Sequence, residues 1–209
     1  MKKIILATAL FITGFSFAQE NNSEEKSTYI KANALFLPIG VLNAGIETQL
    51  SEKYTLQGDI FISPWKSFTG KYAQIYMMGF EGRYYFNQAF KHWYVGANIS
   101  AATYKLHKWN YWKDGNFQLE EGSPIYNKSD LYQEGFSFMI GATVGYQFQL
   151  SENWNMDLYI GGGSSQVFYK GYHKTLGVRY DKPEGINKRN RSGEIIPYRG
   201  GVMISYKLK

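Results

Sequence analysis

Three histidines, His92, His107 and His173, are the residues best suited to acid–base chemistry near neutral pH. A hydrolytic triad would place one of them beside a hydroxyl and a carboxylate. The groups that could join His107 or His173 are Ser164, Ser165 and Glu194. In lipid A deacylases the histidine is followed closely by Ser-Asn-Ala-Gly, and neither histidine here has this motif. A histidine in a loop is usually only solvated. We therefore predict that the protein is not an enzyme, with a lipid-modifying enzyme as the alternative.

The sequence offers no metal site and no cofactor site. It contains no cysteine, which excludes disulfides and thiolate–metal centres, and its histidines and acids lack metal-ligand spacing. The run Gly161–Gly163 does not precede a helix, as a phosphate-binding loop would require. Close packing or a bend in a strand explains these glycines better. We expect no metal and no cofactor.

A second group of candidate residues is charged and lies within segments that alternate apolar and polar residues. Its members are Lys31, Glu47, Asp59, Glu81, Arg83, Asp157 and Arg199, and Lys207 has the same placement. If they share an interior they must pair, because an unpaired buried ion costs several kcal/mol. The pattern predicts an interior plugged by an inward charge network. A gated ion path lined by the same groups is the alternative.

The elements that position these residues are β-strands, as the stretch from Gly135 to Gly163 shows. It alternates apolar with small or polar residues, turns at 151–153 and resumes the alternation, which is the period of a strand. Eight such segments are predicted, at 28–36, 42–50, 54–63, 72–86, 93–106, 135–150, 154–163 and 196–208. Short turns alternate with longer loops, of which the longest are 107–133 and 164–195. The pattern predicts an all-β fold, an eight-stranded antiparallel up-and-down transmembrane β-barrel.

The N-terminus predicts export. Lys2 and Lys3 precede an apolar run from Ile4 to Phe17, and Ser16-Phe17-Ala18 matches a small-x-small cleavage site. The run is too short to span a membrane. The domains are predicted as a cleaved signal peptide at 1–18, a flexible periplasmic lead at 19–27 and the barrel at 28–209. Without the two signal-peptide lysines the formal charge falls from +6 to +4, too mild to indicate nucleic-acid binding.

The alternative to a membrane barrel is a soluble barrel of the lipocalin type, with the apolar face inside. The stretch from Gly135 to Ser151 carries no charge, and its small polar residues fit a narrow eight-strand interior. Aromatic residues cluster at strand ends beside the short turns, as an interfacial girdle would: Tyr54, Phe86, Trp93, Tyr146, Phe148, Trp154 and Tyr206. We predict a monomer in the outer membrane of a Gram-negative bacterium, with both termini in the periplasm.

The last predicted loop is the candidate interaction surface. Its basic residues Lys182, Lys188, Arg189 and Arg191 would face lipopolysaccharide phosphates or acidic glycans, and a merely solvated loop is the alternative. The expected partners are outer-membrane lipids and lipopolysaccharide, or an extracellular glycan or protein. A structural or surface-interaction role follows, with a lipid A-modifying enzyme or a narrow channel as alternatives.

Three short motifs carry a resemblance to a known family. Lys31-Ala32-Asn33, Asn43-Ala44-Gly45-Ile46-Glu47 and Ser63-Pro64-Trp65 resemble domain-of-unknown-function family 3575, small outer-membrane β-barrel proteins of Bacteroidota. The resemblance implies a location and a fold but no established activity. It marks Lys31, Asn33, Glu47, Pro64 and Trp65, and implies an inward Lys–Glu pair and an aromatic residue at the outer rim.

Overall fold

The computed structural model of the protein describes residues 26–107, 112–181 and 189–209. The signal peptide predicted at 1–18 and most of the lead predicted at 19–27 lie outside these residues. The strands are β1 (Thr28–Asn33), β2 (Leu42–Gln49), β3 (Tyr54–Phe68), β4 (Lys71–Tyr85), β5 (His92–Leu106), β6 (Asn116–Gln118), β7 (Ile125–Asn127), β8 (Leu131–Gln149), β9 (Trp154–His173) and β10 (Asn190–Lys207). Single 3-10 turns occur at Leu37–Ile39 and Lys128–Asp130. Within the described ranges no helix is long and apolar enough to cross a membrane.

Eight of these strands close into a barrel in which each strand pairs antiparallel with its neighbours along the chain. The order is β1-β2-β3-β4-β5-β8-β9-β10, and β10 returns to β1. The small hairpin β6–β7 lies outside the ring. The turns after β2 and β8 share one geometry, since Leu50 N–H donates to the Tyr54 carbonyl and Leu150 N–H to the Trp154 carbonyl, each at 2.8 Å. The predicted all-β fold with eight antiparallel strands is confirmed.

The two faces of the barrel wall differ in polarity, in the opposite sense to a soluble protein. The interior buries polar side chains such as Gln57 and Thr143. The outer face exposes large apolar side chains, and Met78, Ile99 and Ile140 are 60%, 58% and 65% exposed. Successive side chains of a strand point to opposite faces, so the alternating sequence produces this separation directly.

Several strands are longer than the sequence pattern predicts. β9 continues to His173 and β10 begins at Asn190, so much of the loop predicted at 164–195 is strand, and that prediction is wrong. β8 begins at Leu131 and β3 continues to Phe68, which also shortens their predicted loops. The period-two signal fades in these segments because polar residues occupy both faces, whereas the backbone ladder continues regardless of side-chain type.

The hairpin β1–β2 is the exception, because it is shorter than predicted. β1 ends at Asn33 rather than Phe36 and pairs with β2 over five residue pairs, from Thr28 to Ala32. The chain then makes a 3-10 turn at Leu37–Ile39 and returns as β2 from Leu42. The barrel wall is therefore low on this side.

Candidate functional site

An ion-pair network fills the middle of the barrel. Lys31 Nζ lies 2.6 Å from Glu47 Oε2 and 2.7 Å from Asp157 Oδ2. Arg83 Nη1 lies 3.0 Å from Glu47 Oε2 and 2.8 Å from Asp157 Oδ2. All four side chains are fully buried. Two cations and two carboxylates from four different strands thus form a ring of alternating charge.

The remaining charged residues predicted to point inward extend this ring. Arg83 Nε donates to Glu81 Oε1 at 2.5 Å, and Arg199 Nε lies 3.4 Å from Glu81 Oε2. Arg199 Nη2 donates to Asp59 Oδ1 at 2.6 Å. The structure therefore connects all seven residues of the predicted network. Three cations face four carboxylates, which leaves one excess negative charge when all are ionised.

Neutral donors also bind the carboxylates of Glu47, Glu81 and Asp157. The donors are Thr55 and Tyr85 on Glu47 (2.6 and 2.8 Å), Thr143 on Glu81 (2.6 Å) and Tyr94 on Asp157 (2.8 Å). The Tyr94 ring also lies 4.4 Å from the guanidinium carbon of Arg83. Buried ion pairs are tolerated only when further hydrogen bonds of this kind complete them.

Glycines on the inner face provide the space for these side chains. A Cβ on Gly96 would lie 3.0 Å from the carboxyl carbon of Glu81, and one on Gly145 would lie 2.4 Å from the Tyr94 hydroxyl. The small residues of the inward face are thus required by a packed interior, as expected for eight strands.

An aromatic cluster that sequence reasoning missed closes one mouth of the barrel. This mouth lies beside the short turns after β2, β4 and β8 and is called the inner mouth. Phe90, in the turn between β4 and β5, is buried, and its ring lies 4.4 Å from Tyr29 and 6.1 Å from Tyr85. Ala89 N–H donates to the Glu52 carbonyl at 2.8 Å and holds the turn in place. Phe90 has a φ of 67°, which is rare for a bulky residue and has no sequence signal.

Beside Arg199 a pocket of about 520 Å³ opens through the low side of the wall. Its apolar lining comes from both faces of the barrel and includes Leu35, Phe61, Met77, Ile160 and Pro197. Its polar end is formed by Asn43, Asp59, Tyr159 and Arg199. Arg199 is buried, and its Nε and Nη1 atoms make no hydrogen bond to any described residue. The pocket therefore joins an apolar opening to a buried guanidinium whose Nη1 has no hydrogen-bond partner among the described residues.

Two of the family-marked residues, Asn33 and Trp65, form hydrogen bonds around the β1–β2 turn beside this opening. Asn33 Oδ1 accepts from the amides of Leu35 (3.2 Å) and Val202 (3.3 Å), and its Nδ2 donates to the Gly200 carbonyl at 3.2 Å. Trp65 Nε1 donates to the Ile39 carbonyl at 2.9 Å. Side chains thus take over backbone hydrogen bonds where β1 ends early. Pro64 precedes Trp65 in β3, and the other marked residues, Lys31 and Glu47, form the buried pair described above.

The residues of the catalytic alternative lie far apart. Ser165 pairs with Glu194 across β9 and β10, and Ser164 precedes it. His173 lies eight residues further along β9, or about 26 Å at 3.3 Å per residue. The registers of β5, β8 and β9 place His107 close to the level of His173. The structure does not bring these histidines and serines together.

His107 instead belongs to an aromatic cluster beyond the end of β5. This end of the barrel, opposite the inner mouth, is called the outer rim. Its Nδ1 accepts from the Tyr72 amide at 2.9 Å, and its ring lies 6.2 Å from that of Tyr132. Burial, together with the positive charges of Lys71 and Lys174, lowers the pKa of His107 to about 4. The imidazole is neutral at physiological pH and acts as a hydrogen-bond acceptor for the rim.

The predicted basic interaction loop is only partly described. Lys182 and Lys188 lie outside the described residues. Arg191 is exposed in β10, paired with Phe168, so its assignment to a loop is wrong. Arg189 precedes that strand, with its guanidinium 5.3 Å from the ring of Phe136. β10 begins at Asn190 because its backbone hydrogen bonds with β9 continue beyond the alternating apolar pattern.

Comparison with known proteins gives a family and nothing closer. No curated protein and no solved structure matches the chain significantly. The sequence model of the family described as "Protein of unknown function (DUF3575)" matches residues 6–207. The chain belongs to this family of proteins of unknown function.

Proposed function

We propose that this protein is a small outer-membrane β-barrel that conducts no solute and has a structural or surface-interaction role in the cell envelope. The observation that carries the proposal is the inverted polarity of the wall, with apolar side chains outside and a buried ion-pair network inside. A protein in water buries its apolar residues and keeps charged ones exposed. The arrangement seen here is that of barrels in lipid.

Aromatic residues at one end of the barrel support a membrane orientation. Trp93 packs against Tyr146 at 5.2 Å, and Trp154 packs against Tyr206 at 4.9 Å, all beside the tight turns. Amphipathic rings of this kind favour the membrane–water interface. We assign this end and both termini to the periplasm, and the extended ends of β8, β9 and β10 to the outside.

The predicted signal peptide at 1–18 supports export of the chain. The resemblance of the sequence to small outer-membrane β-barrel proteins of Bacteroidota implies the same location, and the Phe-Ala-Gln cleavage region resembles the export signals of that phylum. Together with the polarity of the wall, these features favour the outer membrane of a Gram-negative bacterium.

Closure of the interior argues against the narrow channel. Each charge of the ion ring around Lys31 and Arg83 is paired with opposite charges inside the barrel, and Phe90 fills the inner mouth. An ion crossing the barrel would have to separate these pairs, at several kcal/mol for each buried charge. The separation of Ser165 from His173 likewise disfavours an acyl-transfer enzyme.

The outer rim supports contact with lipopolysaccharide. Lys105 Nζ lies 4.6 Å from the ring centre of Tyr72 and 4.5 Å from that of Tyr132, and Lys174 lies 5.7 Å from Tyr72. Arg191 is also exposed, in β10. Cations held on aromatic rings at this level would face the phosphates of the outer leaflet.

Membrane fractionation with gel mobility tests the proposal. The barrel should sediment with the outer membrane, and should migrate differently in SDS before and after boiling. A soluble periplasmic protein with one mobility would contradict it. In planar bilayers the wild-type protein should give no steady conductance, whereas regular single-channel steps would favour the channel.

A further inference from the structure

The wall of the barrel is too low on one side to cross a membrane. The six residues of β1 extend about 20 Å along the strand, or about 15 Å of height at a usual tilt, whereas the apolar band of an outer-membrane barrel is about 25 Å tall. Leu35, Leu37 and Ile39, in the β1–β2 turn, are 58%, 50% and 46% exposed. A turn with this composition suits lipid better than water.

Both strands that flank the low hairpin are built as edges. β3 pairs with β2 only from Thr55 to Ile62, and β10 pairs with β1 only from Met203 to Lys207. Beyond these limits, no described strand pairs with the side of β3 or β10 that faces the gap. Each flank carries a proline, Pro64 and Pro197, and prolines in sheets are confined to edges and bulges. The sequence thus keeps this gap from closing by strand pairing.

The barrel wall is shaped around the same gap. The register of β9 and β10 shifts between Pro197 and Arg199, opposite Gly161 and Gly162. A Cβ on Gly162 would lie 2.7 Å from the Ile196 carbonyl oxygen, so only glycine permits this close approach. The bulge sits where Arg199 enters the pocket. The glycine run of the sequence therefore serves close packing at this bulge.

The chemistry of the pocket selects an amphipathic ligand. Phe61 and Met77 line it from the inner face, and Ile160 and Pro197 line it from the outer side, so an apolar chain could pass from lipid into the barrel. At its polar end Arg199 is more than nine-tenths buried, and its Nη1 has no hydrogen-bond partner among the described residues, whereas Nε lies 3.4 Å from Glu81 Oε2. Buried donors of this kind need an acceptor, and leaving them unpaired costs free energy.

The charges around Arg199 indicate a neutral head group. Arg199 is paired with Asp59 and lies near Glu81, so two carboxylates already face one guanidinium. An anionic ligand would add a further negative charge to an interior with an excess of one. An ester, amide or hydroxyl oxygen can accept from Arg199 without adding charge.

We propose that this side opening binds one acyl chain of a membrane amphiphile with a neutral head group, whose oxygen accepts hydrogen bonds from Arg199. The proposal rests on the proposed function, because the opening is reached from lipid. Its volume of about 520 Å³ lies in the usual range for ligand pockets, about 300–1,000 Å³.

Native mass spectrometry of the purified, detergent-released barrel tests this proposal, with 1-monooleoylglycerol and oleate as probes. One monooleoylglycerol should be retained per wild-type barrel. Oleate should be retained about tenfold less, because its carboxylate would lie beside Asp59 and Glu81. Equal retention or a preference for oleate would overturn the head-group assignment, and retention of neither would overturn the site.

Two neighbouring methionines supply a matched pair of variants. Met77→Trp fills the pocket from the inside and should lower retention by at least about tenfold. Met78→Trp, on the outer face, should leave it unchanged. Arg199→Lys should weaken retention by roughly three- to tenfold, the equivalent of one lost hydrogen bond. Equal losses in both methionine variants would mean lipid bound only to the outer surface.

Gel mobility of the same samples separates the two proposals. A heat-modifiable membrane barrel that retains neither probe would contradict only the acyl-chain site. A soluble, unshifted protein would contradict the membrane assignment itself.

Discussion

The hairpins β8–β9 and β1–β2 form opposite extremes of one barrel wall. β8 and β9 pair over nineteen residue pairs, from Leu131↔His173 to Gln149↔Asn155, whereas β1 and β2 pair over five. At about 3.3 Å per residue and a usual tilt, the twenty residues of β9 rise about 50 Å, far beyond an apolar band of about 25 Å. One side of the wall is about twice as tall as this apolar band, and the other side is lower than the band.

In the proposed membrane location, the difference would explain how a short wall is tolerated in lipid. Backbone polar groups inside a membrane must find partners within the protein. The tall hairpin meets this need with its ladder alone. The low hairpin meets it with side chains, since Asn33 binds the amides of Leu35 and Val202 and Trp65 binds the Ile39 carbonyl. Specific residues are required where regular pairing stops.

The largest expected effect comes from the ion network, which joins the two hairpins. Arg83→Met should destabilise the barrel by about 3–5 kcal/mol, because Glu47, Glu81 and Asp157 each lose a buried cationic partner. Urea unfolding in lipid vesicles, followed by tryptophan fluorescence, measures this. Adding Glu81→Gln to Arg83→Met should recover part of the loss. If the double variant is no more stable than Arg83→Met, lost packing rather than lost charge pairing is responsible.

A smaller effect is expected at the end of β1. Asn33→Ala removes the side-chain hydrogen bonds to two amides and to the Gly200 carbonyl, and should cost about 2–4 kcal/mol. The same unfolding measurement applies. Asn87→Ala, in an exposed inner turn, is the control and should change stability by less than about 0.5 kcal/mol. Similar losses in the two variants would mean that the low hairpin does not depend on Asn33.

Trp65→Phe should have a smaller effect still. It keeps a ring beside Gly40 but removes the hydrogen bond to the Ile39 carbonyl, at a cost of about 0.5–1.5 kcal/mol. The loss should appear as faster amide exchange in the 35–41 turn. Trp154→Phe, which keeps its packing on Tyr206 at the inner rim, should leave that turn unchanged. Unchanged amide exchange in Trp65→Phe would mean that the hydrogen bond from Trp65 to the Ile39 carbonyl does not stabilise this turn.

The comparison also explains how far the sequence could predict the molecule. Alternation of residues such as Phe138 and Ile140 with Ser137 and Met139 encodes a two-faced strand locally, so eight strands and the inward charged residues could be predicted. The outer parts of β9 and β10 could not, because polar residues on both faces leave no period-two signal while the ladder continues. Prediction of strands from the sequence is therefore least successful where the barrel wall is tallest.

The site was less predictable than the fold, because it depends on pairing distant in sequence. Arg199 and Asp59 were recognisable as inward residues, but their 2.6 Å contact depends on barrel closure. The early end of β1 at Asn33 is decided by bonds to β10, some 169 residues away in sequence. Phe90 lies inside the barrel because its backbone has a positive φ, which no pattern of residue types predicts.

The smallest expected effect concerns the outer rim of the tall side, at His107. Its pKa of about 4 in the folded protein lies below the usual 6.5, so an unfolded or locally opened chain binds a proton more readily. The stabilising contribution of neutral His107 is therefore complete above about pH 6.5 and is lost as the pH falls through about 4. Protonation removes the acceptor of the Tyr72 amide. Protection of that amide from hydrogen exchange should fall by less than about tenfold between pH 7 and pH 4, since a single hydrogen bond is lost. In His107→Asn, which retains an acceptor but does not titrate, protection should not change with pH, and an unchanged pH response would assign the effect to another group.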